Sequence, residues 1–181
     1  MSMPSFVKIY EVGPRDGLQN EKMPVDTAVK VELINRLSAS GLQFIEASSF
    51  VSPKWVPQLA DAVDVFARIE RVEGLTYSAL VPNEKGMLGA LSAKVQEIAI
   101  FTAASEGFTQ KNINCSIAES LERFEPVMAE AKMRGIRVRG YVSTAIACPY
   151  AGDIEPGAVA DVAADLLEMG CYEISLGDTI G

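Results

Sequence analysis

Apolar residues follow two alternating rhythms along this chain. Short β-branched runs at Val7–Val12, Phe44–Ala47, Thr76–Val81, Glu97–Thr102, Arg137–Val142 and Tyr172–Leu176 read as strands. Between them, apolar positions recur at three- and four-residue steps. Val29, Leu33 and Leu37 form one such stripe, Ile117, Leu121, Phe124, Met128 and Ala131 a second, and Val159, Val162, Leu166 and Met169 a third. Each predicts a helix with one buried face. Ser116 followed by Glu119 predicts a capping box at the start of the second helix. Gly41, Gly135 and Gly170 each close a helical stretch just before a strand, where a left-handed residue ends a helix and turns the chain back.

This alternation predicts a parallel sheet covered by helices, with short joints between repeated β-α units. No linker or low-complexity segment interrupts it, so residues 1–181 read as one partial domain. A doubly wound nucleotide fold would show a glycine fingerprint after its first strand. Here that strand runs into Gly13-Pro14-Arg15-Asp16-Gly17, and neither G-x-G-x-x-G nor a P-loop occurs. Polar residues instead gather where strands end, as they do in barrels. The expected class is α/β, a (β/α)8 TIM barrel. It is incomplete: about six strands and five helices are legible, against the eight of each in a barrel of roughly 250 residues. The sequence ends at Gly181, just after the sixth strand.

Composition narrows the function classes. Hydrophobic residues make up 49% and charged residues 22%, ordinary for a globular protein, and the net charge of −8 argues against a nucleic-acid partner. No apolar run approaches the roughly 20 residues of a membrane helix. The first residues lack a basic and an apolar region of the signal-peptide kind, so a cytoplasmic location is expected. Three cysteines, Cys115, Cys148 and Cys171, lie far apart and read as reduced and buried. The chain has no histidine, which excludes histidine triads and histidine-containing zinc sites.

Several polar residues could carry chemistry. Asp16, at the end of the first strand, could offer a hard oxygen to Mg²⁺ or Mn²⁺, and Arg15 beside it could hold an oxyanion with its planar fork. The same residues also suit a surface turn. Glu46 lies between apolar neighbours in the second strand and needs a partner, for which Arg15 is one strand away. Asp178, after the sixth strand, suits a general base, a polar anchor beside a metal or a helix N-cap. Asn112 and Asn114 read as turn formers in the loop after the fourth strand. Lys22, Lys54, Lys85 and Lys111 read as solvated charges.

Taken together, these segments resemble a known family. Glu11-Val12-Gly13-Pro14-Arg15-Asp16-Gly17-Leu18-Gln19-Asn20-Glu21 is similar to the opening of hydroxymethylglutaryl-CoA lyases. The stretch Ser49-Phe50-Val51-Ser52-Pro53-Lys54-Trp55-Val56-Pro57-Gln58 resembles their second loop. Lys111-Asn112-Ile113-Asn114-Cys115-Ser116 and Ser175-Leu176-Gly177-Asp178-Thr179-Ile180-Gly181 resemble two further segments. Related metal-dependent synthases and aldolases share the Arg-Asp-Gly core but not the Leu-Gln-Asn-Glu after it, and rank second.

The resemblance implies cleavage of 3-hydroxy-3-methylglutaryl-CoA to acetyl-CoA and acetoacetate with a divalent metal, Mg²⁺ or Mn²⁺, in leucine breakdown. It implies that Asp16 is a metal ligand, that Arg15 steadies the thioester enolate and that Glu46 holds Arg15. Asp178 helps to remove the hydroxyl proton, and Ser49 and Ser175 line the substrate pocket. Lys111 and Asn112 are candidates for its rim or for contacts to the acyl-CoA. Family members continue to a His-x-His pair of metal ligands on a seventh strand, then to a loop with a catalytic cysteine and an asparagine ligand. None of these is present, and Cys148-Pro149-Tyr150-Ala151, after the fifth strand, is not that loop. Without two further strands, the first and sixth would expose an edge and apolar surface. The chain is therefore expected to be an inactive piece of a longer lyase. The alternative is a non-catalytic assembly module that covers those edges as a homo-oligomer or with a partner.

Overall fold

The structure, a computed structural model, describes residues 3–181. Its strands are β1 (Tyr10–Glu11), β2 (Phe44–Ser49), β3 (Thr76–Leu80), β4 (Glu97–Ala103), β5 (Arg137–Ser143), β6 (Ala147–Cys148), β7 (Gly152–Asp153) and β8 (Glu173–Leu176). Its α-helices are α1 (Thr27–Ser38), α2 (Ala62–Arg68), α3 (Glu84–Ser92), α4 (Glu106–Ile113), α5 (Ile117–Arg134) and α6 (Pro156–Glu168). All six strands expected from the sequence are present. The first is shorter than its apolar run: Tyr10 and Glu11 pair with Phe44 and Ile45, while Val7 and Ile9 lie exposed ahead of them.

The chain packs as two compact units. One comprises the described residues up to Ala79 with Gly89–Gln96, the other Leu80–Leu88 with Glu97–Gly181. In the first unit β1, β2 and β3 follow one another in sheet order, and Ile34, Ile45, Leu59, Val65, Phe66 and Tyr77 form its core. In the second, β4, β5 and β8 are neighbours, parallel and in register from Glu97↔Arg137 to Ala103↔Ser143 and from Arg139↔Glu173 to Val142↔Leu176. Strand β4 is buried almost without break, the pattern of a parallel strand covered on both faces. Among the described residues β1 pairs with β2 and β8 with β5. Leu176 and Ile180 lie exposed at the latter edge, as Val7 and Ile9 do at the former.

Local chemistry explains the helix ends. The Ser116 hydroxyl accepts the Glu119 N–H at 3.0 Å, and the Glu119 carboxylate accepts the Ser116 N–H at 2.7 Å, so the expected capping box starts α5. Gly135 closes that helix at φ +67°, and Gly41 and Gly170 are left-handed as well.

Two expectations are corrected, and two features go beyond them. In α1 the inward face is Lys30, Val31, Ile34 and Ser38, whereas Val29 is exposed and Leu33 and Leu37 are half-buried. Lys30 can take an inward place because its ammonium finds oxygen partners there, which an apolar count does not foresee. Asn112 lies in α4 rather than in a loop, and Asn114 is the left-handed residue that ends that helix, at φ +52°. Ser105 starts α4 by accepting the Phe108 N–H, a cap without a long apolar stripe behind it. The antiparallel pair β6–β7 is likewise absent from the sequence reading, being two residues on each side.

Candidate active site

In the first unit, chemistry gathers where β1 and β2 end. After Glu11 the chain enters a tight helical turn, Gly13–Gly17, held by several backbone bonds. The Val12 carbonyl accepts both the Arg15 N–H at 3.0 Å and the Asp16 N–H at 2.7 Å. The Leu18 N–H closes the turn onto the carbonyls of Gly13 and Arg15. Gly13 donates its own N–H to Glu11 Oε1 at 2.6 Å.

This turn sends Arg15 inward and Asp16 outward. The Arg15 side chain is 10% exposed, and its Nε donates to Oε1 of the fully buried Glu46 at 2.5 Å. Its Nη1 donates to Asp16 Oδ1 at 2.7 Å, while the Asp16 side chain remains 54% exposed. The guanidinium is thus gripped by two carboxylates, one buried beneath it and one at the surface. A planar fork suits this role, since its donors are fixed relative to one another. The pairing of Glu46 with Arg15 that the sequence suggested is therefore present, and the Asp16 carboxylate stays half-exposed beside it. Ser49, two positions before the next turn, is fully buried and accepts the Val51 N–H at 3.2 Å, fastening the start of the loop after β2.

The second unit carries the other candidates. Ser175 is half-buried in β8, and Asp178 is exposed beyond it. The segment between is strapped to the end of β5: Gly177 N–H donates to Val142 O at 2.8 Å, Ala145 N–H to Gly177 O at 2.9 Å, and Thr144 N–H to Thr179 Oγ1 at 2.7 Å. Lys111 and Asn112 are exposed on the last turn of α4. Lys22, Lys54 and Lys85 are exposed too. All three cysteines are free thiols and buried. Cys148 Sγ accepts from Ser105 Oγ at 3.1 Å and from the Tyr150 N–H at 3.4 Å.

A network that the sequence reading missed ties down the loops after β1 and β2. Lys30 Nζ donates to Asp61 Oδ1 at 2.8 Å and to the Gln58 carbonyl, and Thr27 Oγ1 donates to Asp61 Oδ2 at 2.6 Å. The Gln58 amide donates to Met23 O at 3.0 Å and accepts from Val25 N–H at 2.9 Å. The only signal in the sequence was a lysine placed one step from an apolar stripe.

The donor chemistry of Asp16 suits a hard divalent cation, but one carboxylate is not a metal centre. Among the described residues no group of three or more His, Cys, Asp or Glu could hold a metal. Nor, among them, is any helix long and apolar enough to cross a membrane.

A family model described as HMGL-like matches residues 6–181. A Pseudomonas aeruginosa protein named 3-hydroxy-3-isohexenylglutaryl-CoA/hydroxy-methylglutaryl-CoA lyase is 58% identical over 181 residues, 100% of this chain and 60% of that protein. The mitochondrial hydroxymethylglutaryl-CoA lyase of Rattus norvegicus is 59% identical over 180 residues, 99% of this chain and 55% of its own length. The crystal structure of hydroxymethylglutaryl-CoA lyase from P. aeruginosa matches with a TM-score of 0.97 at 58% identity, covering 100% of this chain and 60% of that one. An HMG-CoA lyase from Acinetobacter baumannii, in complex with coenzyme A and 3-methylmalate, matches with a TM-score of 0.93 at 37% identity, covering 99% and 59%. The chain spans about 60% of the length of the relatives it matches. Its class is α/β, six strands of an incomplete (β/α)8 barrel. On a match that runs from Phe6 to the last residue, the chain belongs to the HMGL-like family.

Proposed function

We propose that the protein to which this chain belongs cleaves 3-hydroxy-3-methylglutaryl-CoA into acetyl-CoA and acetoacetate. The observation that carries the reading is the Arg15 guanidinium, held between buried Glu46 and half-exposed Asp16. In the reaction the C3 hydroxyl loses its proton and the C2–C3 bond breaks. The electron pair moves into the thioester as an enolate, and C2 then takes up a proton to give acetyl-CoA. Negative charge grows on the thioester oxygen as the bond breaks, and a guanidinium already fixed in place stabilises it without reorganising. Glu46 keeps that guanidinium from swinging away between turnovers.

The remaining roles rest on the matching segments. Asp178 takes the hydroxyl proton, Ser49 and Ser175 line the pocket, and Lys111 and Asn112 meet the acyl-CoA at its rim. The cofactor we propose is Mg²⁺ or Mn²⁺, with Asp16 as one ligand. When bound, it supplies positive charge to the substrate's hydroxyl and carboxylate oxygens. The residues described here supply only that one ligand of the set. We also propose that the 181-residue chain alone is inactive and that the protein works in the cytoplasm, although the relatives include proteins named both mitochondrial and cytoplasmic. The double name of the P. aeruginosa relative favours a second substrate, a longer branched 3-hydroxyglutaryl thioester.

The test is an Asp16→Asn exchange in the protein expressed from its native gene, assayed for both products with Mg²⁺ and with Mn²⁺. Loss of activity is expected, because the amide cannot replace the charged ligand. Full activity in the variant would overturn the site assignment, and no cleavage by the wild-type protein would overturn the function.

A further inference from the structure

We infer that Glu11 is a positioning residue for this reaction, locking the turn that sets where Arg15 and Asp16 stand; the inference rests on the lyase reading above. Glu11 is the last residue of β1, and its backbone is fixed by the pairing with Ile45. Its carboxylate turns forward over the chain and accepts the Gly13 N–H at 2.6 Å. Pro14 has no N–H, and those of Arg15 and Asp16 are taken by the Val12 carbonyl. The Gly13 N–H is therefore left for a side chain to hold, at the entry to the turn.

The glycine and the carboxylate form a single device. A Cβ built on Gly13 would stand 2.7 Å from Glu11 Oε1, so the carboxylate would have to move away from the backbone to make room for it. A bare position 13 lets the carboxylate lie against the backbone without that movement. A charge-assisted bond of this length is stronger than a neutral one, which suits a latch on a short turn.

The latch bears on chemistry because Glu46 fixes only the far end of Arg15. The guanidinium sits correctly only if the backbone that carries it is fixed too. Displacement of a reacting or charge-stabilising group by about 1 Å can cost about 100-fold in rate. Among the described residues no hydrogen bond or ion pair joins the Glu11 carboxylate to Arg15 or Asp16, so it acts through the turn.

The test compares Glu11→Gln and Glu11→Ala in the protein expressed from its native gene. Glutamine keeps an oxygen acceptor at the same reach, and alanine does not. With the thioester, Glu11→Ala is expected to lose about 100-fold in kcat with KM changed by less than about threefold, while Glu11→Gln stays within about fivefold of wild type. Hydrogen exchange at the Gly13 amide is expected to quicken in Glu11→Ala and not in Glu11→Gln. Wild-type kcat in Glu11→Ala, or an equal loss in both variants, would overturn the inference. If Glu11→Ala does not fold, Gly13→Ala, which pushes a still-charged carboxylate aside, must show the same kcat loss or the inference fails. If the wild-type protein does not cleave the thioester, the lyase reading fails by itself. The Gly13 exchange then still decides the latch, and an amide equally slow in both variants overturns it.

Discussion

Arg15 Nε donates to Glu46 Oε1 at 2.5 Å, and the carboxylate that receives it is completely buried. Removing one of two charges held away from water leaves the other without its partner, and that is what destabilises the fold. Glu46→Ala leaves a nearly buried guanidinium facing a cavity and is expected to lower the unfolding free energy by about 3–5 kcal/mol. Replacing both partners with apolar residues, Arg15→Met with Glu46→Leu, is expected to recover most of that loss yet remain inactive. Chemical denaturation of the two variants, set beside product formation, separates the structural role of the pair from its chemical one. A single Glu46→Ala variant as stable as the wild type would show that the pair does not support the fold.

That pair was legible in the sequence because a glutamate flanked by Ile45 and Ala47 in a parallel strand has few ways to stay charged. The strands, the capping box at Ser116 and the left-handed glycines were legible for similar reasons, since each is a local pattern with a local cause. What escaped was decided by tertiary partners. Lys30 points inward because Asp61 and the Gln58 carbonyl await it, 31 and 28 residues away. Helix α4 escaped because its cap is strong and its stripe weak, and asparagine in its last turn reads as loop. Glu11 escaped because its value lies in a bond to a backbone N–H two residues on. Composition carries no trace of such a bond.

The Lys30 network makes its own prediction. Lys30→Met keeps the length of the stem but leaves Asp61 with Thr27 and removes the donor to Gln58. A lost charge-assisted bond of this kind costs roughly 1.5–3 kcal/mol. Because Gln58 also clasps the backbone at Met23 and Val25, both loops should loosen together. Limited proteolysis is expected to cut Lys30→Met first within residues 50–61 or 20–26. An unchanged cleavage pattern would show that the loops are held by other contacts.

Acid should act on the start of α5. The bonds that Glu119 receives from the Ser116 backbone and side chain hold its carboxyl below the usual 4.5. A depressed folded value means stability that is present above pH 4.5 and lost as pH falls through the folded value. Wild-type stability should therefore fall along that range more steeply than that of Glu119→Gln, which has no proton to gain. Ser116→Ala, which removes the other half of the box, is expected to cost about 1 kcal/mol at neutral pH. Denaturation curves from pH 7 to pH 3 for the three proteins provide the check, and parallel curves for wild type and Glu119→Gln would refute the linkage.

Base should act on Cys171, with the opposite sign. This thiol is buried, and the space at Gly140 is so close that a Cβ there would meet its sulfur at 3.3 Å. Burial pushes it from 9.0 up to about 11. A raised folded value gives stability fully present below pH 9 and lost as pH climbs to about 11, because the unfolded chain sheds its proton first. The slope that this one group contributes is at most about 1.4 kcal/mol per pH unit. Tyr172, shifted upward by burial and by Glu97, adds a second loss that begins higher, above its ordinary value of 10.0. The two separate in a comparison of wild type with Cys171→Ala. The difference between their unfolding free energies should change between pH 9 and 11 and be flat below pH 9. If the difference does not change across that interval, the thiol is not shielded from water as its packing against β5 requires.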